Sequence, residues 1–579
     1  MSDNFERRNV ADCSQETPEP VPWQPPCDAQ FATHRVVREA PAYRRRIVRM
    51  GRTFVAVDYG LSNAAMVLVD GGYVVIDTCS SLAEAEHVKQ DLAAHVQGDC
   101  QAVIYTHFHH DHIAGVAAFH QPGVPIWAHE LFHDEFRYVL SFPRFYHQRA
   151  ARQFGYALSP EQVVTNGIGP PLQIERGSMP TLLMPDNTFS QNQRLEIGGT
   201  TFEMVHAPGE SLDQIFVWLP EDRILFAADN FYKAFPNLYA IRGGKPRPVQ
   251  GWIDSLDAMR RLDPAPEYLV LGHTEPLQGA AQICTLLTEY RDGIAFVHDS
   301  VVRGINAGKT MDELVREIRL PPQLVDHPYL QPKYGTLTGG IRGIYTGYVG
   351  WFDGNPSHLE PLNDVELGQR VTSMIGGRSA VIQAARQALD DRDPQWANWL
   401  CDQLLAQDPR DRDAARTKAI SLETLAADTP NPLFRNWYLT DAALLRRDIT
   451  MPRRAPLNSR TVQDIPIREI LRRFPQRIDL RRAARLKLRV GFDFTDTNQH
   501  FTFVIRNGVG ELVEGILADP DFILRMTETD FRRSVCQELK PISREYLQKV
   551  QCEAPGSPLL SPFRRLYRGL QFARCLQLP

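Results

Sequence analysis

The sequence predicts an α/β domain, then a helical region, then a small α+β unit. Three observations carry that order. Short buried apolar runs such as FVAV, YVVID, AVIY and EYLVLGH alternate with helical patterns in the first half and end in polar, ligand-type side chains. After about residue 285 the apolar spacing becomes helical throughout. Beyond residue 460 strand-like runs return, as in LKLRVGFDF and HFTFVIRNGVGELVEG. A chain of 579 residues is too long for one hydrophobic core, so about two to four domains are expected.

Residues 1–45 are polar and Pro-rich and read as an arm without a packed core. They contain no apolar h-region, so no secretory signal is visible and a cytoplasmic location is expected. No apolar stretch is long enough to predict a transmembrane segment. The nine cysteines form no C-x-x-C pair and are odd in number, which predicts free thiols rather than a disulfide framework.

Residues 52–77 read as a hairpin around Asp70-Gly71-Gly72. Ser81 and Glu84 form a capping-box pattern, and Leu82, Ala85, Val88, Leu92 and Val96 follow at helical spacing. VPIWA is a further strand, 131–170 mixes helices and loops, and TTFEMVHA, IFVWLP and RILFAAD are strands. A helix over 251–263 precedes the strand EYLVLGH. This α/β unit is expected over 46–285, the helical region over 286–450 and the last unit over 451–579. Residues 378–425 resemble helix-turn-helix repeats of the tetratricopeptide kind. The arginines at 472, 473, 481, 482 and 485 read as a solvated helix surface. With a net charge of −5, nothing suggests a nucleic-acid partner.

The stretch YTHFHHDHIAG concentrates four histidines and one aspartate between His107 and His112, directly after a buried strand. Side chains two apart on an extended chain point to one side, so His107 and His109 can reach one metal ion. Asp111 and His112 follow in the turn and can serve a second ion. Imidazole and carboxylate donors suit zinc. His110 is read as pointing away, and Asp77 as holding the cluster loop by hydrogen bonds.

This H-x-H-x-D-H pattern resembles the metal motif of the metallo-β-lactamase fold, which implies an αββα sandwich. The resemblance implies further ligands in a fixed order. Glu210, in VHAPGESLDQ, stands where most relatives carry histidine; Asp229, in RILFAADN, stands at the bridging carboxylate; His273, in LVLGHTEP, stands at the final histidine. The implied sets are His107, His109 and Glu210 for one ion and Asp111, His112 and His273 for the other, with Asp229 between them. Iron-binding relatives carry glutamate at the second histidine, so His109 favours two zinc ions. His206 is read as packing or capping rather than ligating.

Glu210 and the run DNFYKAFPNLYAIRGG resemble the alkyl sulfatase branch of this fold, where an arginine follows the bridging carboxylate by thirteen residues; here that residue is Arg242. YVGWFDGNP matches a signature of that family. ARQALDDRDPQWANWLCDQLLAQDP and FRNWYLTDAALLRR resemble its dimerisation domain, and the C-terminal unit resembles its sterol-carrier-like domain. The resemblance implies a homodimeric dizinc hydrolase of alkyl sulfate esters. In it Arg242 binds sulfate bidentately, and Asp111 is a catalytic residue as well as a ligand. Asp229 replaces the family's glutamate, and LGHTEP departs from its S-H-H-W context. Two alternatives therefore stay open: hydrolysis of another ester, thioester or lactone, or amphiphile binding by a degenerate site.

Overall fold

The computed structural model describes residues 41, 43–172, 182–452, 459, 462–463, 465–540 and 543–553. The arm over 1–40, three of the cysteines (Cys13, Cys27 and Cys575) and most of the basic linker after Pro452 lie outside the described residues.

Seven strands form the first sheet: β1 (Arg46–Met50), β2 (Thr53–Val57), β3 (Ala64–Val69), β4 (Gly72–Ile76), β5 (Asp99–Ile104), β6 (Ile126–His129) and β7 (Asn187–Phe189), side by side in chain order. β1 to β4 run as an antiparallel meander, and β4 to β7 are parallel. The second sheet holds β8 (Gln193–Ile197), β9 (Thr200–His206), β10 (Ile215–Leu219), β11 (Ile224–Ala228), β12 (Tyr268–Leu271) and β13 (Leu277–Gln278), in the order β13-β12-β11-β10-β9-β8.

Period-two alternation places the two faces. Val55 and Val57 enter the core between the sheets, where they meet Phe202, Val217 and Phe226. Phe54 and Ala56 face the opposite way, into the core that takes Ala85, Val88 and Leu92 of the helix Leu82–Leu92. Ser81 caps that helix by accepting the Glu84 N–H at 3.3 Å, and the Glu84 carboxylate accepts the Ser80 N–H at 2.9 Å. Outside the second sheet lie the helices Val249–Arg260 and Ala280–Asn306, through Trp252, Leu256, Leu287 and Ile294. The result is the αββα sandwich. Position 285 lies inside Ala280–Asn306, whose buried face belongs to the core of the second sheet.

Beyond Asn306, four consecutive helices pack in sequence: Arg378–Asp390, Pro394–Gln407, Arg412–Asp428 and Pro432–Arg446. The polar breaks between them act as caps. Asp393, Asp411 and Asn431 each accept backbone N–H groups at a helix start, and Pro394 and Pro432 occupy first-turn positions. Arg378 clamps both oxygens of Asp411 at 2.7 and 2.6 Å. The C-terminal unit holds β14 (Leu488–Phe494), β15 (Gln499–Arg506), β16 (Val509–Glu514), β17 (Phe522–Met526) and β18 (Gln551–Glu553), in the order β16-β15-β14-β17-β18. Phe474 and Phe531 cover one face of that sheet. Arg137 reaches Glu469 at 2.7 Å and ties the unit to the sandwich. In the arginine-rich stretch, Arg472 pairs with Glu469 and Arg482 with Asp479, as local surface contacts do. Among the described residues no helix is long and apolar enough to cross a membrane.

Candidate metal centre and anion pocket

The carboxyl ends of β4, β5, β9, β11 and β12 open onto one edge of the sandwich. The Ile215 N–H, at the start of β10, donates to Thr106 O at 2.9 Å and joins the two sheets there. Asp77 follows β4, the histidine cluster follows β5, Glu210 follows β9, Asp229 follows β11 and His273 follows β12. Several non-glycine residues beside this edge adopt left-handed backbone, among them Asp77 (φ 57°), Ala228 (φ 49°) and Thr274 (φ 69°). Such conformations persist where surrounding structure enforces them, and they cluster at functional sites.

All seven predicted ligand residues converge. His107 Nε2 and His109 Nδ1 lie 2.8 Å apart. Asp229 Oδ2 is 3.6 Å from His107 Nε2 and 3.2 Å from His273 Nε2, while its Oδ1 is 3.4 Å from His112 Nε2. Asp111 Oδ2 stands 3.6 Å from His273 Nε2 and 3.7 Å from His112 Nε2. Ligand atoms fall into three overlapping groups within 4.8 Å: His109 with Glu210 and Asp229, His107 with His112 and Asp229, and Asp111 with His112 and His273. Asp229 thus sits where the groups overlap. His107 is grouped through Asp229 rather than directly with Glu210.

The residues fit metal ions on grounds internal to the site. His112 Nε2, Asp229 Oδ1 and Glu210 Oε2 are buried polar atoms without a hydrogen-bond partner, a costly state that coordination relieves. The cradle is tight. A Cβ on Gly272 would stand 2.2 Å from Asp229 Oδ1, so only glycine leaves the carboxylate its place. Burial keeps His107 and His109 far below the usual imidazole pKa and therefore neutral. At His112 and His273 burial acts in the same direction and is the largest single effect, but the neighbouring carboxylates, Asp229 foremost, together outweigh it and both are raised. Asp229 itself, despite burial, is held well below the usual carboxylate range by His273, His112 and His107. A buried carboxylate whose two oxygens face three imidazoles is an arrangement that favours a bound cation.

Asp77 accepts from the Thr106 N–H at 2.9 Å and Thr106 Oγ1 at 2.8 Å, and its Oδ2 lies 2.7 Å from His112 Nδ1. It fixes which ring nitrogen of His112 faces the centre. His273 Nδ1 is fixed likewise, 2.7 Å from Leu61 O. Asp77→Asn is expected to keep the fold and weaken metal affinity by about 10- to 100-fold, measured by chelator competition. Unchanged affinity would remove that role. His110 is exposed and belongs to none of the three groups. His206 Nε2 lies 2.8 Å from Leu212 O, and its ring stacks on His129 at 3.9 Å, a packing role.

Arg242 lies beside His109 and is 7% exposed. Its Nε donates to Tyr146 OH at 2.6 Å, its Nη2 is 3.3 Å from His109 Nε2, and its Nη1 has no partner. Sequence reasoning missed Arg247, whose buried guanidinium lies 2.8 Å from Glu210 Oε1. Burial raises the Glu210 pKa, and Arg247 opposes that rise. The signal was present in the spacing, since Arg247 follows Arg242 by five residues in RGGKPR. Both arginines line one cavity with His109, Glu210, Phe108, Tyr138 and Tyr146.

Residues 57–273 match the metallo-beta-lactamase superfamily, and residues 310–448 match the alkyl sulfatase dimerisation family. The chain is 34% identical over 483 residues to a linear primary-alkylsulfatase of a Pseudomonas species, covering 80% of this chain and 90% of the relative. An alkyl/aryl-sulfatase of Saccharomyces cerevisiae is 27% identical over 86% of this chain and 79% of its own length. The solved structure of a stereoselective inverting sec-alkylsulfatase from Pseudomonas superposes with a TM-score of 0.84 at 24% identity, covering 95% of this chain and 89% of the other. On these grounds the chain belongs to the alkylsulfatase family of the metallo-β-lactamase superfamily.

Proposed function

We propose that the protein hydrolyses alkyl sulfate esters at a pair of zinc ions: the ester and water give the alcohol and hydrogen sulfate. The observation that carries this reading is the juxtaposition of the seven-residue ligand cluster with a buried, partly unpartnered guanidinium, Arg242. His107, His109 and Glu210 would hold one ion, Asp111, His112 and His273 the other, and Asp229 would lie between. Bound there, zinc lowers the pKa of water and polarises the ester.

The chain's own groups do the rest. Arg242 presents Nη1 and Nη2 to sulfate oxygens, a planar fork matched to an anion whose charge is spread over several oxygens. Tyr146 holds Nε and so fixes the plane of that fork. Asp111 is partly exposed, and its second oxygen is the candidate acceptor for a water proton. Phe108, Tyr138, Val139 and Leu212 supply apolar surface where the alkyl chain leaves the head group. The sterol-carrier-like reading of the C-terminal unit fits delivery of amphiphiles to this mouth. Turnover of a C8–C12 alkyl sulfate, followed by release of both alcohol and sulfate, tests the proposal. Hydrolysis of neutral esters or lactones with none of sulfate esters would favour the second hydrolase reading.

A homodimer is also part of the proposal. In and beside the matched dimerisation region, Tyr348, Val349, Trp351, Leu359, Leu362, Val365, Leu367 and Met374 are exposed, with Trp351 at 76% and Met374 at 86%. Exposed large apolar side chains concentrated in one stretch of the matched region fit an interface between copies. Light scattering at micromolar concentration is expected to give twice the chain mass, and Trp351→Glu combined with Met374→Glu to shift it toward the monomer. A wild-type monomer would contradict this assembly.

A further inference from the structure

Three side chains of the helix Pro143–Gln153 grip the same residue. Tyr146 OH accepts from Arg242 Nε at 2.6 Å. Arg149 Nε donates to Arg242 O at 2.9 Å, and Arg149 Nη2 donates to Ile241 O. Gln153 Oε1 accepts from the Arg242 N–H at 3.0 Å. Positions 146, 149 and 153 are three and four apart, so they share one helix face. The side chain, carbonyl and amide of Arg242 are therefore all set by one rigid element. The loop itself cannot supply that rigidity: Gly243 (φ 96°) and Gly244 follow at once.

The opposite partner of this helix comes from the helical region. On Pro432–Arg446, the Trp437 ring lies under the Arg149 guanidinium at 5.0 Å, Asn436 Nδ2 donates to Gln153 O at 3.2 Å, and Asp441 accepts from Arg152 Nε at 2.6 Å. Asn436 is buried at 1% exposure and Gln153 at 0%. Two of the three groups that set Arg242 are thus themselves set by Pro432–Arg446, which shares no residue with the metal cluster.

We propose that Arg149 and Gln153 are positioning residues for the sulfate-binding Arg242, and that Trp437 and Asn436 of the helical region fix their geometry. The inference rests on the reading of Arg242 as the sulfate anchor. The helical region then does more than join two chains: it sets the orientation of the anion fork in its own chain. Arg149 is not among the residues lining the pocket beside Arg242, and it reaches that residue through the backbone carbonyls of 241 and 242.

The test is a double-mutant cycle on kcat/KM for decyl sulfate, with zinc content, chain mass and the inhibition constant of inorganic sulfate measured for each protein. Arg149→Met is expected to lower kcat/KM by about thirtyfold through lost hydrogen bonds to the loop. Trp437→Ala is expected to lower it by about fivefold, the scale of one cation–π contact, and Trp437→Phe to restore most of that loss. Sulfate should inhibit both Arg149→Met and Trp437→Ala more weakly, with zinc content and mass unchanged. In an Arg242→Lys background, adding Arg149→Met should cost little more. Full additivity in that background, or losses that follow zinc content, would overturn the positioning role. A wild-type rate for Arg242→Lys alone would instead remove the sulfate-anchor reading on which the proposal stands. Trp437→Phe and Trp437→Ala behaving alike would remove the contribution of the helical region.

Discussion

Asp229→Asn is expected to lose metal and activity together, with turnover of alkyl sulfates falling by more than about 100-fold. Asp229 is 3% exposed and its two oxygens lie within 3.6 Å of three imidazoles. It also belongs to two of the three ligand groups, so its loss weakens both proposed ion positions. Asparagine keeps the shape but brings no charge, and it replaces one of the two oxygens that face the imidazoles with an N–H group that cannot ligate a cation. The fold should survive, because β11 is anchored by Leu225 and Phe226 in two apolar cores. Inductively coupled plasma analysis together with circular dichroism separates the cases. A folded variant with full zinc and full turnover would remove Asp229 from the centre.

Arg242→Lys is expected to keep both ions and the fold yet lose about 30- to 1000-fold in turnover of alkyl sulfates, or roughly 2–4 kcal/mol of transition-state binding. Lysine retains the charge but not the planar fork, and it cannot reproduce the bond from Nε to Tyr146. A neutral ester, if hydrolysed at all, should be affected far less, because it presents no sulfate oxygens. Comparison of kcat/KM on the two substrate types, with zinc checked, decides the point. Equal losses on both would make Arg242 a structural residue.

Much of this site was legible in the chain because its parts sit at strand ends. A run such as RILFAAD announces a buried strand by its apolar content, and the polar residue that stops it must face an edge of the sheet. His107 and His109 were read from the end of a strand and Asp111 and His112 from the turn after it, whereas Glu210, Asp229 and His273 came from the family resemblance. The same logic gave the helix Leu82–Leu92, whose buried residues follow the expected spacing. Strands β1, β7, β8 and β13 were not expected. β1 (RIVRM) and β8 (QRLEI) mix charge with apolar residues, and β7 and β13 are too short to show a period. Pairing with a neighbour makes them strands, and pairing is non-local. Arg247 escaped for a related reason: its partner, Glu210, is thirty-seven residues earlier in the chain. The clamp on Arg242 is likewise invisible in sequence, since it joins residues 146–153, 241–242 and 436–441.

The central claim is that a dinuclear zinc centre in this chain cleaves a sulfate ester. The most direct measurement counts zinc per chain in the purified protein and follows decyl sulfate turnover as the metal is stripped and returned. The account predicts about two zinc ions per chain, loss of alcohol and sulfate release on chelation, and recovery of both when zinc is added back. Undiminished turnover by metal-free protein would contradict it.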